Sequence, residues 1–149
     1  MERNRQPIGV FDSGVGGLTV VNKLRMLLPH ENIIYVGDTK RNPYGSRTPE
    51  EIFSYTRDIL RFMSEKEVKL VAIGCNTVTA VAYETVRKEV PYPLIGMSRG
   101  IRTAREISAK KKIAVFATEL TIANHSHKKM AAAIDPDIEI VEQACPALA

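Results

Sequence analysis

Long apolar runs are missing from this sequence of 149 residues, and none approaches the roughly 20 residues of a membrane-spanning helix. Residues 1–10 also lack the apolar segment that a secretory signal carries. Only two cysteines occur, far apart and without Cys-x-x-Cys spacing, which favours neither a disulfide framework nor a zinc site. These absences predict a protein of the reducing cytoplasm, with no membrane partner and no metal.

A strong excess of one charge is also lacking. The 21 basic and 17 acidic residues give a net charge of +4, and the two kinds are mixed along most of the chain. The densest basic run, at 110–112, lies at a predicted helix end, where lysines interact favourably with the helix dipole. We therefore expect no nucleic-acid partner. The apolar share of 44% is typical of a soluble globular protein that can bury a core.

Predicted strands and helices alternate along the chain. Short apolar runs predict strands at 8–11, 32–36, 70–73, 94–96, 113–117 and 138–141. Apolar residues at helical spacing predict helices at about 18–28, 49–65, 78–89, 98–109 and 120–133. The alternation predicts an α/β fold of three layers, in which a mainly parallel sheet is flanked by helices and the crossovers are right-handed.

Small polar residues follow each of the first three predicted strands. They are Asp12-Ser13, Gly37-Asp38-Thr39 and Cys75-Asn76-Thr77. Because the carboxyl ends of parallel strands share one edge of a sheet, we expect these residues to meet in one crevice, where open α/β sheets bind ligands. The alternative for residues 75–77 is a small buried cysteine followed by a helix cap.

The glycine-rich segment at 12–17, Asp-Ser-Gly-Val-Gly-Gly, invites comparison with phosphate loops. It is no P-loop, because Val15 stands where the lysine is required. As a dinucleotide fingerprint it has Thr19 in place of the last glycine, although Asp38 falls near the expected ribose-binding distance. Asp12 would lie in the path of a phosphate, which argues against both. The loop suits a carboxylate equally well, and a structural tight turn is the simplest interpretation.

Cys75 has neighbours that can form a reactive site. A thiol at the start of a helix is expected to have a lowered pKa. Asp12 can hold or exchange a proton, and hydroxyl and amide side chains at Ser13, Asn76 and Thr77 can bind carboxylate and ammonium groups. His125 and His127 are two positions apart, so on a helix they would point to different faces. We expect them to be surface residues and not metal ligands.

Three segments carry a resemblance to a known family: IGVFDSGVGGLTV at 8–20, YVGDTKRNPYGSRTPEEI at 35–52 and GCNTVTA at 74–80. Together they resemble glutamate racemase, of the cofactor-independent aspartate/glutamate racemase group, and FATELTI at 116–122 and EQACP at 142–146 extend the likeness. The resemblance implies two similar α/β domains with the active site between them and no cofactor. It matches Cys75 to a catalytic cysteine, Asp12 to the acid beside it and Ser13 to a substrate contact. It also matches the other glutamate-binding positions to Tyr44, Gly45, Asn76 and Thr77.

The implied reaction interconverts L- and D-glutamate, which supplies D-glutamate for peptidoglycan. One cysteine removes the α-proton and a second protonates the opposite face. In the family that second cysteine belongs to a downstream Cys-Thr-His motif, which this sequence lacks, and Cys145 matches an earlier position. The resemblance thus implies an N-terminal portion, with a first domain at 1–97 and an incomplete second domain at 98–149. Residues 98–100, Ser-Arg-Gly, replace the usual proline-glycine pair at the domain crossing.

Other functions stay open at this stage. A non-catalytic glutamate-binding or regulatory domain would keep the same cavity without the reaction. A racemase of aspartate or another acidic amino acid would share the motifs, because they do not fix the length of the substrate's side chain. A homo-oligomer is possible, since an incomplete sheet exposes apolar surface.

Overall fold

The structure is a computed structural model that describes residues 5–97 and 100–148. Its strands are Ile8–Asp12 (β1), Ile33–Gly37 (β2), Leu70–Ile73 (β3), Leu94–Ile95 (β4), Lys112–Ala117 (β5) and Glu139–Ala144 (β6). Its helices are Leu18–Leu27 (α1), Pro49–Glu65 (α2), Asn76–Val81 (α3), Tyr83–Val86 (α4), Ile101–Ile107 (α5), Glu119–Ala123 (α6) and Ser126–Ile134 (α7). Short 3₁₀ helices span Tyr44–Ser46 and Pro146–Leu148.

Two parallel sheets organise these elements. The first has the strand order β2-β1-β3-β4, and the second pairs β5 with β6. Every strand pairing recorded in the described residues is parallel. The predicted parallel sheet flanked by helices is therefore confirmed. Strand β1 lies at the centre of the first sheet and is buried at all five residues, which requires cover on both faces.

Helix α2 shows how the sequence builds the main core. Thr48 and Glu51 form a capping box, because each side chain accepts a hydrogen bond from the other residue's backbone N–H. Pro49 occupies the first turn, where the missing N–H costs nothing. The buried residues of α2 then recur at helical spacing: Ile52, Thr56, Ile59, Leu60 and Met63. The four apolar residues among them join the core around Phe11 and Val71.

Two predicted helices are each divided in the structure. The predicted helix at 78–89 is replaced by α3 and α4, with Ala82 between them. The predicted helix at 120–133 is replaced by α6 and α7, and His125 between them has a left-handed φ of 52°. A left-handed residue cannot continue an α-helix, which is why the periodic pattern predicted a helix that was too long.

The part of the chain that contains the second sheet begins near residue 100. Gly100 has a φ of 67° and precedes α5, so this helix begins later than the predicted 98. Residues 98 and 99 lie outside the described residues, and so do the predicted domain boundary and most of the predicted Ser-Arg-Gly crossing. Helices α5 and α6 pack on β5 and β6 respectively, and α7 packs on α5 and β6. No helix in the described residues is long and apolar enough to cross a membrane.

Candidate active site

A cavity of about 760 Å³ opens where β1 and β3 end. One side is formed by the residues that follow these strands and by the 3₁₀ turn at Tyr44–Ser46. The other side is formed by β5 and by residues at or near the starts of α5, α6 and α7. All seven residues that the sequence nominates line it: Asp12, Ser13, Tyr44, Gly45, Cys75, Asn76 and Thr77. The structure thus brings the predicted residues together, while their roles stay predictions.

The glycine loop uses one of its own amides to hold Asp12. The Gly17 N–H donates a hydrogen bond of 2.8 Å to Asp12 Oδ2. A Cβ at Gly17 would lie 2.7 Å from the Cβ of Asp12, so only glycine fits at this close approach. Because this amide already binds a carboxylate, the loop offers an incoming phosphate one donor fewer. The geometry therefore argues against the dinucleotide alternative.

Cys75 is buried at the base of the cavity, with 5% of its surface exposed. Its thiol donates a hydrogen bond to Ser13 Oγ, with 3.4 Å between the sulfur and the oxygen. Burial raises the pKa of Cys75, hydrogen bonding with Ser13 and with the backbone of Val78 opposes this, and the charge of Asp12 adds to the increase. The predicted lowering of the pKa by the helix start is wrong, because desolvation outweighs the short helix α3.

Tyr44 lines the cavity, and its hydroxyl is bound by Asp38, which lies behind the cavity wall. The Tyr44 hydroxyl donates to Asp38 Oδ2, and the same oxygen accepts a bond of 2.5 Å from Arg41 Nε. Burial and this partnership raise the pKa of Tyr44 well above its ordinary value. Asp38 follows β2 as predicted, yet it is not among the described lining residues. It supports the turn that presents Tyr44 and Gly45 to the cavity.

Three threonines join the two sides of the cavity, and the sequence prediction missed two of them. Thr77 Oγ1 lies 3.2 Å from Thr118 Oγ1, and Thr118 Oγ1 lies 2.9 Å from Thr121 Oγ1. The Thr121 hydroxyl completes the triangle at 3.4 Å from Thr77 Oγ1. A signal was present, because Thr118 directly follows β5 just as Asn76 and Thr77 come soon after β3.

His127 also lines the cavity, where it is only 9% exposed. The prediction that both histidines are surface residues is wrong for His127, because the first turn of α7 is buried at Ser126 and His127. His125 is exposed, and its Nδ1 lies 2.7 Å from Glu142 Oε2. Among the described lining residues, His127 is the only histidine, lysine or arginine. Within residues 5–97 and 100–148, no group of three or more His, Cys, Asp or Glu is placed to hold a metal ion.

Cys145 lies apart from this cavity. Its thiol is half-buried and 3.8 Å from the carbonyl oxygen of Gln143, and its backbone N–H donates to the carbonyl of Ala117. Cys75 is therefore the one cysteine among the described lining residues. The fold gives the two cysteines different surroundings.

The sequence and the fold of this chain are similar to those of known proteins. No family model matches the sequence. The chain is 45% identical over 147 residues to the glutamate racemase of Lactobacillus johnsonii and 42% identical to that of Streptococcus pneumoniae. Each alignment covers 98% of this chain and 55% or 56% of the relative, so the chain spans about half the length of the curated relatives it matches.

Solved structures show the same likeness. A glutamate racemase isoform from Bacillus anthracis matches 96% of this chain with a TM-score of 0.87 and 36% identity, and the match covers 54% of that protein. The glutamate racemase of Francisella tularensis, solved in complex with D-glutamate, matches 95% of the chain with the same TM-score, and 54% of its own length is covered. In sequence and in fold, the chain is similar to the glutamate racemases, and it corresponds to about half of its relatives' length.

Proposed function

We propose that the cavity binds glutamate and that Cys75 exchanges the substrate's α-proton as one half of a glutamate racemase reaction. The observation that carries the proposal is the contact of the Cys75 thiol with Ser13 in the same cavity as Asp12 and the threonine hydroxyls. The glutamate racemase names of the relatives support it, as does the D-glutamate complex of the Francisella tularensis protein.

The environment of Cys75 suits proton removal from carbon. A thiolate whose pKa is raised by burial is a stronger base than an exposed thiolate, although less of it is ionised at neutral pH. The hydrogen bonds from Ser13 and Val78 stabilise the ionised form and offset part of that cost. Asp12 lines the same cavity and its charge acts on the thiol, and we assign to it the role of the acid beside Cys75.

The lining also suits a molecule with two carboxylates and one ammonium group. Asp12 is the acidic lining residue that can face the ammonium group. Asn76 and the threonine triangle offer hydrogen-bond donors to a carboxylate, and His127 offers the ring N–H of a basic side chain to the other carboxylate. No group in this arrangement requires a cofactor, and we expect none.

Complete racemisation needs a second proton donor on the opposite face of the α-carbon. Cys145 does not line the cavity, so we expect this chain alone to exchange the α-proton of one enantiomer at most. We further propose that residues 1–97 act as the domain that carries Asp12 and Cys75. The remaining residues belong to a second domain, which contributes the opposite wall of the cavity. D-glutamate for peptidoglycan, made in the cytoplasm, is the proposed product of the complete enzyme.

Solvent exchange tests the proposal directly. The chain is incubated in D₂O with L-glutamate or D-glutamate, and loss of the α-proton signal is followed by NMR. We expect deuterium to enter one enantiomer, and we expect Cys75→Ala to reduce the rate by roughly 10²–10⁴-fold, as for loss of a general base. Cys145→Ala is the matched control and should leave the rate unchanged.

Three other results would contradict the proposal. Interconversion of both enantiomers by the chain would show that a second proton donor is present. Saturable glutamate binding by calorimetry without any exchange would favour the non-catalytic binding domain. Faster exchange with aspartate than with glutamate would assign the cavity to a different acidic amino acid.

A further inference from the structure

Tyr35 on β2 reaches across the first sheet to the glycine loop. It is paired with Val10 in the register of β1 and β2, and its hydroxyl donates a hydrogen bond of 2.7 Å to the carbonyl oxygen of Gly14. Its ring is packed against two glycines. A Cβ at Gly17 would lie 3.1 Å from Tyr35 Cε2, and one at Gly37 would lie 3.2 Å from Tyr35 Cε1. The ring, at Gly17, and the hydroxyl, at Gly14, therefore hold the loop at two separate points.

The hydroxyl holds the residue next to the one that contacts the thiol. Gly14 follows Ser13, whose Oγ accepts the hydrogen bond from Cys75. The other end of the loop is held by the bond from Gly17 to Asp12. We propose that Tyr35 is a positioning residue whose hydroxyl fixes the Gly14 carbonyl and thereby keeps Ser13 against the Cys75 thiol. Its importance for proton exchange rests on the function proposed above, whereas its effect on the thiol does not.

The Tyr35 hydroxyl is a hydrogen-bond donor at neutral pH. Burial raises the pKa of Tyr35 above its ordinary value, and the charge of Asp12 raises it further. The hydroxyl is therefore protonated, and able to donate to the Gly14 carbonyl, at neutral pH. Tyr35 is not among the described residues that line the cavity, so its effect passes through the loop.

The Tyr35→Phe variant isolates the hydroxyl, because the ring contacts with Gly17 and Gly37 stay in place. In a Cys145→Ser background, the rate at which iodoacetamide alkylates Cys75 is measured against pH. Since the Ser13 contacts lower the pKa of Cys75, their loosening should move the midpoint of the profile upward by about 0.5 pH unit. If the midpoint does not move, or moves downward, the proposal is wrong.

Tyr92→Phe is the matched control. The Tyr92 hydroxyl also donates to a backbone carbonyl, that of Leu60 at 2.8 Å, but it does so in the core and outside the cavity lining. Both tyrosine variants should lower the thermal midpoint to a similar extent. Only Tyr35→Phe should move the alkylation profile. An equal movement in Tyr92→Phe would mean that general loosening of the fold is responsible, and this would overturn the proposal.

A double-mutant cycle with Ser13→Ala tests the route through Ser13. If Tyr35 acts by placing Ser13, the double variant shifts the midpoint by less than the sum of the two single shifts. Additive shifts would show that Tyr35 acts on Cys75 by another route and would refute the proposal. Alkylation needs no glutamate, so these results stand even if Cys75→Ala leaves proton exchange intact and the proposed function fails.

Discussion

The two sheets of this protein bury their strands to very different degrees. In the first sheet, all residues of β1 are buried, whereas β5 and β6 alternate between exposed and half-buried residues along their whole length. The residues proposed for chemistry, Asp12 and Cys75, lie at the ends of strands in the well-buried sheet. The second sheet supplies the facing wall. The well-buried sheet thus holds the reactive groups, and the more exposed sheet forms the opposite wall of the cavity.

Two phenylalanines can sharpen this comparison, and they should give the largest effect on stability. Phe11 on β1 is 0% exposed, whereas Phe116 on β5 is 64% exposed. Phe11→Ala should lower the free energy of unfolding by about 3–5 kcal/mol because it leaves a cavity in the core. Phe116→Ala should change it by less than about 0.5 kcal/mol. Urea denaturation measures both, and equal losses would contradict the contrast between the sheets.

A pair of histidines tests whether the second half contributes to binding. His127 lines the cavity, and its neighbour His125 is exposed and bound to Glu142. His127→Gln should weaken glutamate binding about tenfold, as for loss of one hydrogen bond to a charged carboxylate. His125→Gln should leave the affinity nearly unchanged. Calorimetric titration with glutamate decides between them, and similar affinities for both variants would remove His127 from the proposed site.

The smallest effect concerns the pH dependence of stability. The pKa of Cys75 is raised in the folded protein, so the folded state disfavours the thiolate relative to the unfolded state. The stability linked to this thiol is therefore complete below its ordinary pKa of 9.0 and is lost as the pH rises through and beyond that value. Between about pH 8 and about pH 10, the unfolding free energy should fall less steeply in Cys75→Ala than in the parent chain. Parallel curves would show that burial does not affect this thiol.

Much of the architecture follows from patterns that are local in the sequence. The strand at 70–73 and the capped helix at 49–65 depend on runs and spacings of neighbouring residues, and both occur as predicted. The division between α6 and α7 was missed because the left-handed backbone of His125 leaves the apolar spacing intact. Patterns report which face of a segment is buried, but they do not report a single unusual dihedral angle.

The cavity was predictable to the extent that it depends on strand ends. Asp12 and Cys75 come together because adjacent parallel strands end at the same edge. The contribution of Thr121 and His127 depends on how the second sheet packs against the first, and no spacing within the sequence encodes that contact. The direction of the pKa shift at Cys75 was missed for the same reason, since burial depends on everything that surrounds the thiol.

Gly45 and Thr118 are far apart in the sequence but lie in close contact in the fold. A Cβ at Gly45 would lie 2.7 Å from both Cβ and Cγ2 of Thr118, a separation that real side chains do not reach. Any larger residue at 45 must displace the wall that carries the threonine triangle, unless position 118 becomes smaller at the same time. A larger residue at position 45 is therefore tolerated only together with a smaller residue at position 118, so the shape of the cavity depends on both halves of the chain.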